Sequence, residues 1–365
     1  MRRLLLTAAV VVLSAPTAAL ASGETLPTET ADPSPTATPT ATTTPSTTPD
    51  PAAAFTVDDA QLRWGLNDES NNAAFAPGTY NFLSAGQVPD PGSGGRTIRN
   101  GRWSHTDAVA WWASRGKVRI EKRTADGRFV AATFAGLSTD ASGARITSPT
   151  SGRFSGHQVV VDGGRGSVDP RAGTATVSWT GSFSVVHYSG MSYFVVSDPR
   201  LVVTRSEARL TGTLSGYASD RDDPTRWTAM PRQTVTLANL PRSQVALPAR
   251  GGFTATPAYA GVRYDAPAAG IAQVRSGPHW GAFPSGFLGW LDRAGSAAYW
   301  YSSGGATDAY KTASPLAVSW SADDPVAPPS GPAQPGSTTT VPASPSAPAA
   351  PLPPPPGAGG QPPGP

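Results

Sequence analysis

The sequence predicts a mainly β chain: one antiparallel β-sandwich or barrel-like domain with one or two short helices, flanked by disordered Pro-rich arms. Three observations predict it. The chain has 39 Gly and 39 Pro in 365 residues, and the Pro excess sits at the ends: residues 22–54 hold 7 Pro and 11 Thr, and residues 325–365 hold 16 Pro. All ten Trp fall within residues 55–324, a body of roughly 270 residues and long enough for a sizeable core. Within that body, apolar and polar residues alternate over short spans separated by Gly and Asp-Pro turn signals.

The first 21 residues read as a secretory signal. Arg2 and Arg3 form the charged start, residues 4–13 an apolar run, and Ala19-Leu20-Ala21 a small-residue cleavage site before Ser22. The run is too short for a transmembrane helix. Residues 22–54 are a Thr/Pro stalk, too polar to collapse and stiffened by proline. Such stalks space a domain from a cell envelope. The arm at 325–365 carries no charge, and Pro353 to Pro356 favour polyproline II. An arm of this composition leads to a further segment, or the protein is released or held non-covalently. The expected location is therefore secreted and cell-envelope associated, with no transmembrane anchor and with cell-wall or other envelope components as partners.

The body, residues 55–324, carries 26 Lys and Arg against 21 Asp and Glu. The excess is mild and scattered, which argues against nucleic acid as the main partner. The absence of cysteine excludes disulfides, thiolate metal sites and Cys nucleophiles.

In chain order, residues 58–67 are expected to start a short helix, with Asp58 as N-cap and Gln61 at N3. Strands are expected at 117–121, 158–162, 174–179 and 183–187, from their alternation. Residues 193–196 and 201–203 are apolar runs that Asp198-Pro199 should split by a turn. Gly127, Gly163-Gly164 and Gly173 mark other turns. Residues 241–275 lack periodicity and contain four prolines, which predicts an irregular connection. Residues 285–293 should form a helix with Phe287, Leu288 and Leu291 on one side.

Catalytic signatures are missing. There is no G-x-S-x-G elbow, no H-E-x-x-H, no P-loop and no dinucleotide fingerprint. His105, His157, His187 and His279 have no metal-ligand spacing. Asp222-Asp223 and Asp323-Asp324 lie in polar, Pro-flanked stretches and read as solvated loops. Asp68 and Glu69 are the carboxylates that fall inside a motif, and a glycan hydrolase would need two of them across a cleft. The expectation is a protein that is not an enzyme.

Three constellations stand out. The first is Leu62-Arg63-Trp64-Gly65-Leu66, continuing to Tyr80-Asn81-Phe82-Leu83. The second, residues 181–190, ends a strand in His187 beside Tyr188, turns at Gly190, and returns through Ser197-Asp198-Pro199-Arg200-Leu201. The third is Tyr299-Trp300-Tyr301-Ser302-Ser303-Gly304-Gly305, where a strand would turn Tyr299 and Tyr301 to one side. An imidazole and a phenol at a hairpin tip can hold or assist a haem iron, and a tyrosine-faced strand can line a flat apolar pocket. The same residues also suit structural hydrogen bonding and core packing.

In this order the segments resemble the HtaA domain family of secreted or envelope-attached haem-uptake domains of actinobacteria, over about residues 58–320. The resemblance implies a mostly β domain that binds haem through a tyrosine phenolate assisted by a histidine. The histidine carries over to His187. The family's tyrosine position falls here at Asn72 and Ala73, with Phe75 close by, so the phenol expected at the metal is Tyr80, with Tyr188 beside His187 as the other candidate. Tyr299 and Tyr301 are expected to line the cofactor pocket. The resemblance thus implies haem as cofactor, haem or haem proteins as partners, and haem binding or relay in iron uptake. The alternative is a surface structural or adhesive β module that has lost the haem ligand and holds a polysaccharide or partner protein.

Overall fold

A computed structural model describes residues 53–219, 227–268 and 270–326. The expected signal, stalk and Pro-rich tail, and the Asp222-Asp223 pair, lie outside the described residues. What is described is mainly β, with one α-helix and an extensive antiparallel sheet.

The first strand, β1 (Phe55–Trp64), occupies the stretch where a short helix was expected. Ala60, Leu62 and Trp64 are buried at a period of two, which is the strand repeat. Two neighbours supply its backbone partners: the long β8 (His157–Asp169) on one side and the short β15 (Leu316–Ser319) on the other. The capping residues at 58 and 61 gave a local helical signal, and tertiary pairing overrode it.

The remaining strands follow in order. They are β2 (Phe82–Ala85), β3 (Ile98–Arg99), β4 (Arg102–Trp103), β5 (Ser114–Arg115), β6 (Val118–Arg123) and β7 (Phe129–Ala131). After β8 come β9 (Thr174–Ser178), β10 (Ser182–His187), β11 (Ser192–Val203), β12 (Ala208–Ser219), β13 (Trp227–Leu240) and β14 (Gly252–Ala255). Thirteen of them form one sheet whose main path runs β13-β12-β11-β9-β8-β1-β15-β14. The pair β2–β10 branches from β11, and β5, β6 and β7 branch from β8. β3 and β4 form a separate hairpin. No pairing among the described residues joins β13 to β14, so this path has two ends.

Two expected turns are absorbed into strands. Asp198-Pro199 does not split β11. It forms a bulge, because Ser197 pairs with Thr213 while Arg200 pairs with Thr211. Asp198 takes φ 51°, and its carboxylate accepts the Gly181 N–H at 3.1 Å. Gly163-Gly164 lies inside β8, where the register against β1 shifts. A Cβ on Gly164 would sit 2.4 Å from the Trp179 indole nitrogen, so glycine is needed there for close approach. That indole donates to the Ala60 carbonyl at 2.9 Å.

The helix α1 (Ser285–Arg293) forms within the expected bounds and buries Phe287, Leu288, Trp290 and Leu291. Residues 241–275 are largely irregular, but β14 crosses them and completes the sheet beside β15.

Alternation along β10 and β11 separates two cores. Phe183, Val185, Phe194 and Val196 enter the main core with α1, Trp300 and Leu214. Val186, Tyr193 and Val195 face the other way. They are covered by the segment that follows β2, through Val88, Ile98 and Trp103. Gly190 admits that cover: a Cβ there would come within 2.8 Å of the Trp103 ring.

Candidate functional site

His187 is the last residue of β10 and is 0% exposed. Its parity along the strand turns it into the main core, with Phe183 and Val185. The Tyr299 ring stacks on it at 4.4 Å and 27°, and Trp300 meets it edge-on at 6.1 Å. Neither imidazole nitrogen has a hydrogen-bond partner among the described residues. Burial pushes the imidazole down to about 3, so the ring is neutral.

The tip after His187 is held firmly. Tyr188 and Ser189 both take positive φ, 50° and 56°. The Tyr188 N–H donates to Asn81 Oδ1 at 3.0 Å, and Asn81 Nδ2 donates to the Glu69 carbonyl at 2.9 Å. Ser189 exchanges two bonds with Tyr80: its N–H donates to the Tyr80 carbonyl at 2.8 Å, and its Oγ accepts the Tyr80 N–H at 3.0 Å. These bonds fasten residues 69–81 to the hairpin tip, so the first and second constellations do meet.

The phenols divide. Tyr188 and Tyr299 lie together, ring centroids 6.2 Å apart. Burial pushes both phenols up, and the Glu69 carboxyl beside them adds to the rise. Tyr80 goes elsewhere: its ring packs with the second core, on the opposite face of β10 from His187. The expectation of Tyr80 as a metal ligand beside His187 is therefore corrected by strand parity. Tyr299 and Tyr301 do not share a strand face either. Ala297–Tyr299 is a short 3-10 turn, and Tyr301 packs against Tyr264 at 5.2 Å. The Tyr301 hydroxyl donates to the Ile271 carbonyl at 2.6 Å, which removes it from the His187 cluster.

Next to the phenols is an acidic group that sequence motifs alone had placed without a role. Burial pushes the Glu69 carboxyl up to about 7, against the pull of Lys311, and Asp68 up to about 6. Glu69 Oε2 is buried without a partner among the described residues. The Lys311 ammonium donates to Asp308 at 2.8 Å and to Ser303 Oγ at 2.7 Å.

His157 gives the contrast. It is equally buried, but its Nε2 accepts the Leu83 N–H at 2.9 Å and its Nδ1 bonds Ser155 Oγ at 2.5 Å. It is a joint between β8 and β2, and sequence spacing gave no sign of that.

A second site is open. A groove of about 950 Å³ crosses the second face of the sheet where the Trp103 cover ends. Tyr193, Val195, Tyr217 and Met230 form apolar surface in it, and Arg115, Lys117 and Arg232 stand exposed along it. None of the three cations has a hydrogen-bond or ion-pair partner among the described residues, although Arg115 lies over the Trp112 ring at 4.6 Å. Its one carboxylate among the described residues, Asp90, is engaged by the Gly92 N–H at 2.8 Å and the Trp227 indole at 3.0 Å. Trp227 also stacks on Tyr217 at 5.0 Å and 14°. No sequence motif pointed to this groove, because five strands from distant parts of the chain contribute to it.

No family model matches the chain, and neither a curated protein nor a solved structure is found to be similar to it. Among the described residues, no group of three or more His, Cys, Asp and Glu could hold a metal ion, and no helix is long and apolar enough to cross a membrane.

Haem, which the family resemblance implies, needs an approachable donor and an ionisable phenol. The cluster at 187, 188 and 299 does gather nitrogen and oxygen donors. It fails on access, since the imidazole is sealed by Tyr299 and Trp300. It also fails on ionisation, since burial and Glu69 both oppose a phenolate. In this arrangement the residues do not fit the group.

Proposed function

We propose that the chain is an exported, sandwich-like β module that binds a ligand on the cell envelope without catalysing a reaction, and that it has kept the HtaA order of motifs without the haem ligand. One observation carries the reading: the open, cation-rimmed groove coexists with a sealed His187. Binding there needs no bond to break. Apolar area on the half-buried Tyr217 and Met230 gains from leaving water, and the cations, which have no partner among the described residues, offer charge-assisted hydrogen bonds. The signal-like start and Thr/Pro stalk support an exported, envelope-associated setting.

A second reading, haem capture at the envelope, is favoured by a specific observation. Two orphaned imidazole nitrogens beside two phenols are unusual in a packed interior. It requires the hairpin tip to swing away from residues 69–81 and uncover Tyr188.

Titration of the full chain with haemin separates the two, run beside calorimetry against a panel of acidic and neutral polysaccharides. No Soret shift at micromolar haemin, heat of binding with at least one polysaccharide, and no release of reducing ends support the binding module. A saturable Soret shift lost in Tyr188→Phe, with no heat from any polysaccharide, would overturn it in favour of haem.

A further inference from the structure

The groove has a direction. It runs crosswise over β10, β11, β12 and β13, and the register gives the row: Ser184 pairs with Val195, and Val195 with Ser215. At β13 the row meets a bulge. Leu214 pairs with Gln233 and Gly216 with Met230, so Ser215 faces both Pro231 and Arg232. Arg232 is therefore set at the far wall of the groove. Arg115 and Lys117 flank the tight β5–β6 turn at Gly116, at the other end, where a Cβ on Gly181 would meet Val118 and one on Gly86 would meet Arg115. Three strand spacings separate β10 from β13, about 14 Å. One phosphate or carboxylate cannot reach both ends. A chain with anions at intervals can.

The floor between the cations is not charged. Val195 and Tyr193 are buried in it, and Tyr217 and Met230 are half-buried on it. A bare polyanion would leave the exposed parts of Tyr217 and Met230 wet. Sugar rings, with apolar C–H faces and polar rims, match aromatic and aliphatic floor and hydrogen-bonding wall together. Ser215 supplies a hydroxyl in that row, and Ser182 another in the neighbouring row.

We propose that this groove binds an acidic polysaccharide in extended form, with Arg115 and Lys117 holding one anionic sugar, Arg232 holding another, and Tyr217 flanking the sugars beside that row. The proposal rests on the binding-module reading and names its ligand class. Carboxylates on sugar rings are the source it commits to, over phosphates on a ring-free backbone.

The test uses the full chain and its tryptophan fluorescence, which Trp112 and Trp227 bring to the site. The probes are oligogalacturonate, a neutral malto-oligosaccharide of equal length, a glycerol-phosphate oligomer and oligothymidylate. Oligogalacturonate is expected to bind most tightly of the four, with an affinity that falls steeply as salt is raised. The triple variant Arg115→Gln, Lys117→Gln, Arg232→Gln is expected to lose at least tenfold in affinity with an unchanged melting temperature. Tyr217→Ala is expected to weaken oligogalacturonate and leave the weaker glycerol-phosphate binding unchanged. Equal binding of the neutral oligosaccharide overturns the proposal while the binding-module reading stands. So does oligogalacturonate binding that the triple variant retains. Tighter binding of the glycerol-phosphate oligomer or of oligothymidylate overturns the sugar assignment. No response to any probe, together with a haemin Soret shift, overturns both readings.

Discussion

Tyr299 lies face to face with His187, ring centroids 4.4 Å apart, and closes over an imidazole whose nitrogens have no hydrogen-bond partner among the described residues. The contact is between two rings, with no hydrogen bond from either imidazole nitrogen. An imidazole in that position contributes shape, while its two nitrogens have lost water without gaining a partner. A buried polar atom without a partner costs about 1–3 kcal/mol.

It follows that His187→Phe should hold or raise stability, by up to about 2 kcal/mol, because the ring stack survives and the orphaned nitrogens go. His187→Ala should lower it by about 2–4 kcal/mol through the cavity it leaves. Urea midpoints of both variants check this. A large loss in His187→Phe would show that the nitrogens hold a partner in solution.

Glu69 sets a pH dependence of known sign. Its carboxyl sits at about 7 in the folded chain, against an ordinary value of 4.5. Between those values the unfolded chain gives up the proton first. Stability from this group is therefore full below pH 4.5 and lost as pH rises through 7, by about 3 kcal/mol. His187 and His157 act oppositely, since both are held neutral and lose stability as pH falls below 6.5. Comparing Glu69→Gln with the wild type isolates the carboxyl. The variant is expected to be the more stable of the two at pH 7.5, with the gap closing by pH 5. A gap that does not change with pH would show an ordinary carboxyl.

Gly164→Ala tests the close approach inside β8. The added methyl would overlap the Trp179 indole, which must then move and give up its bond to the Ala60 carbonyl. A loss of about 2–3 kcal/mol is expected, read as a lower melting temperature. Gly78→Ala meets nothing within 4 Å but requires φ 76°, so its smaller loss measures backbone strain alone.

The Arg63–Glu121 pair joins β1 to β6 across β8. Glu121 is 8% exposed and also receives Arg119 at 2.9 Å and Gln158 at 3.1 Å. Arg63→Met removes its most buried cation and should cost about 3 kcal/mol, whereas Arg63→Met with Glu121→Leu should recover most of that loss. With Glu121→Leu measured alone as well, a double-mutant cycle gives the coupling directly.

Local patterns carried much of the fold. Strands at β6 and β9 and the helix α1 were legible because each buries residues at its own repeat, and β8 and β10 as short apolar runs buried on both faces. β1 was misread because its capping-type residues at 58 and 61 outweigh a period-two pattern in only ten residues. Asp198-Pro199 and Gly163-Gly164 were misread as turns because a bulge and a close packing contact use the same residue types as a turn. At the candidate site, proximity of His187 and Tyr188 was trivial from their adjacency. That Tyr299 should cover His187, and that Tyr80 should face away, depended on strand parity and on a contact across 112 positions of chain. The groove was invisible for the same reason: its floor is assembled by strand pairing, and no single segment announces it.

The bulge that positions Arg232 has another effect. β13 ends the main path of the sheet, and its outer rim offers backbone groups to any passing strand. Pro231 supplies no N–H there, and its carbonyl is already taken by the Trp290 indole at 3.0 Å. A neighbouring chain trying to zip onto that rim finds the ladder broken midway. The kink at Pro231 thus also interrupts the rim along which copies of the chain could stack edge to edge.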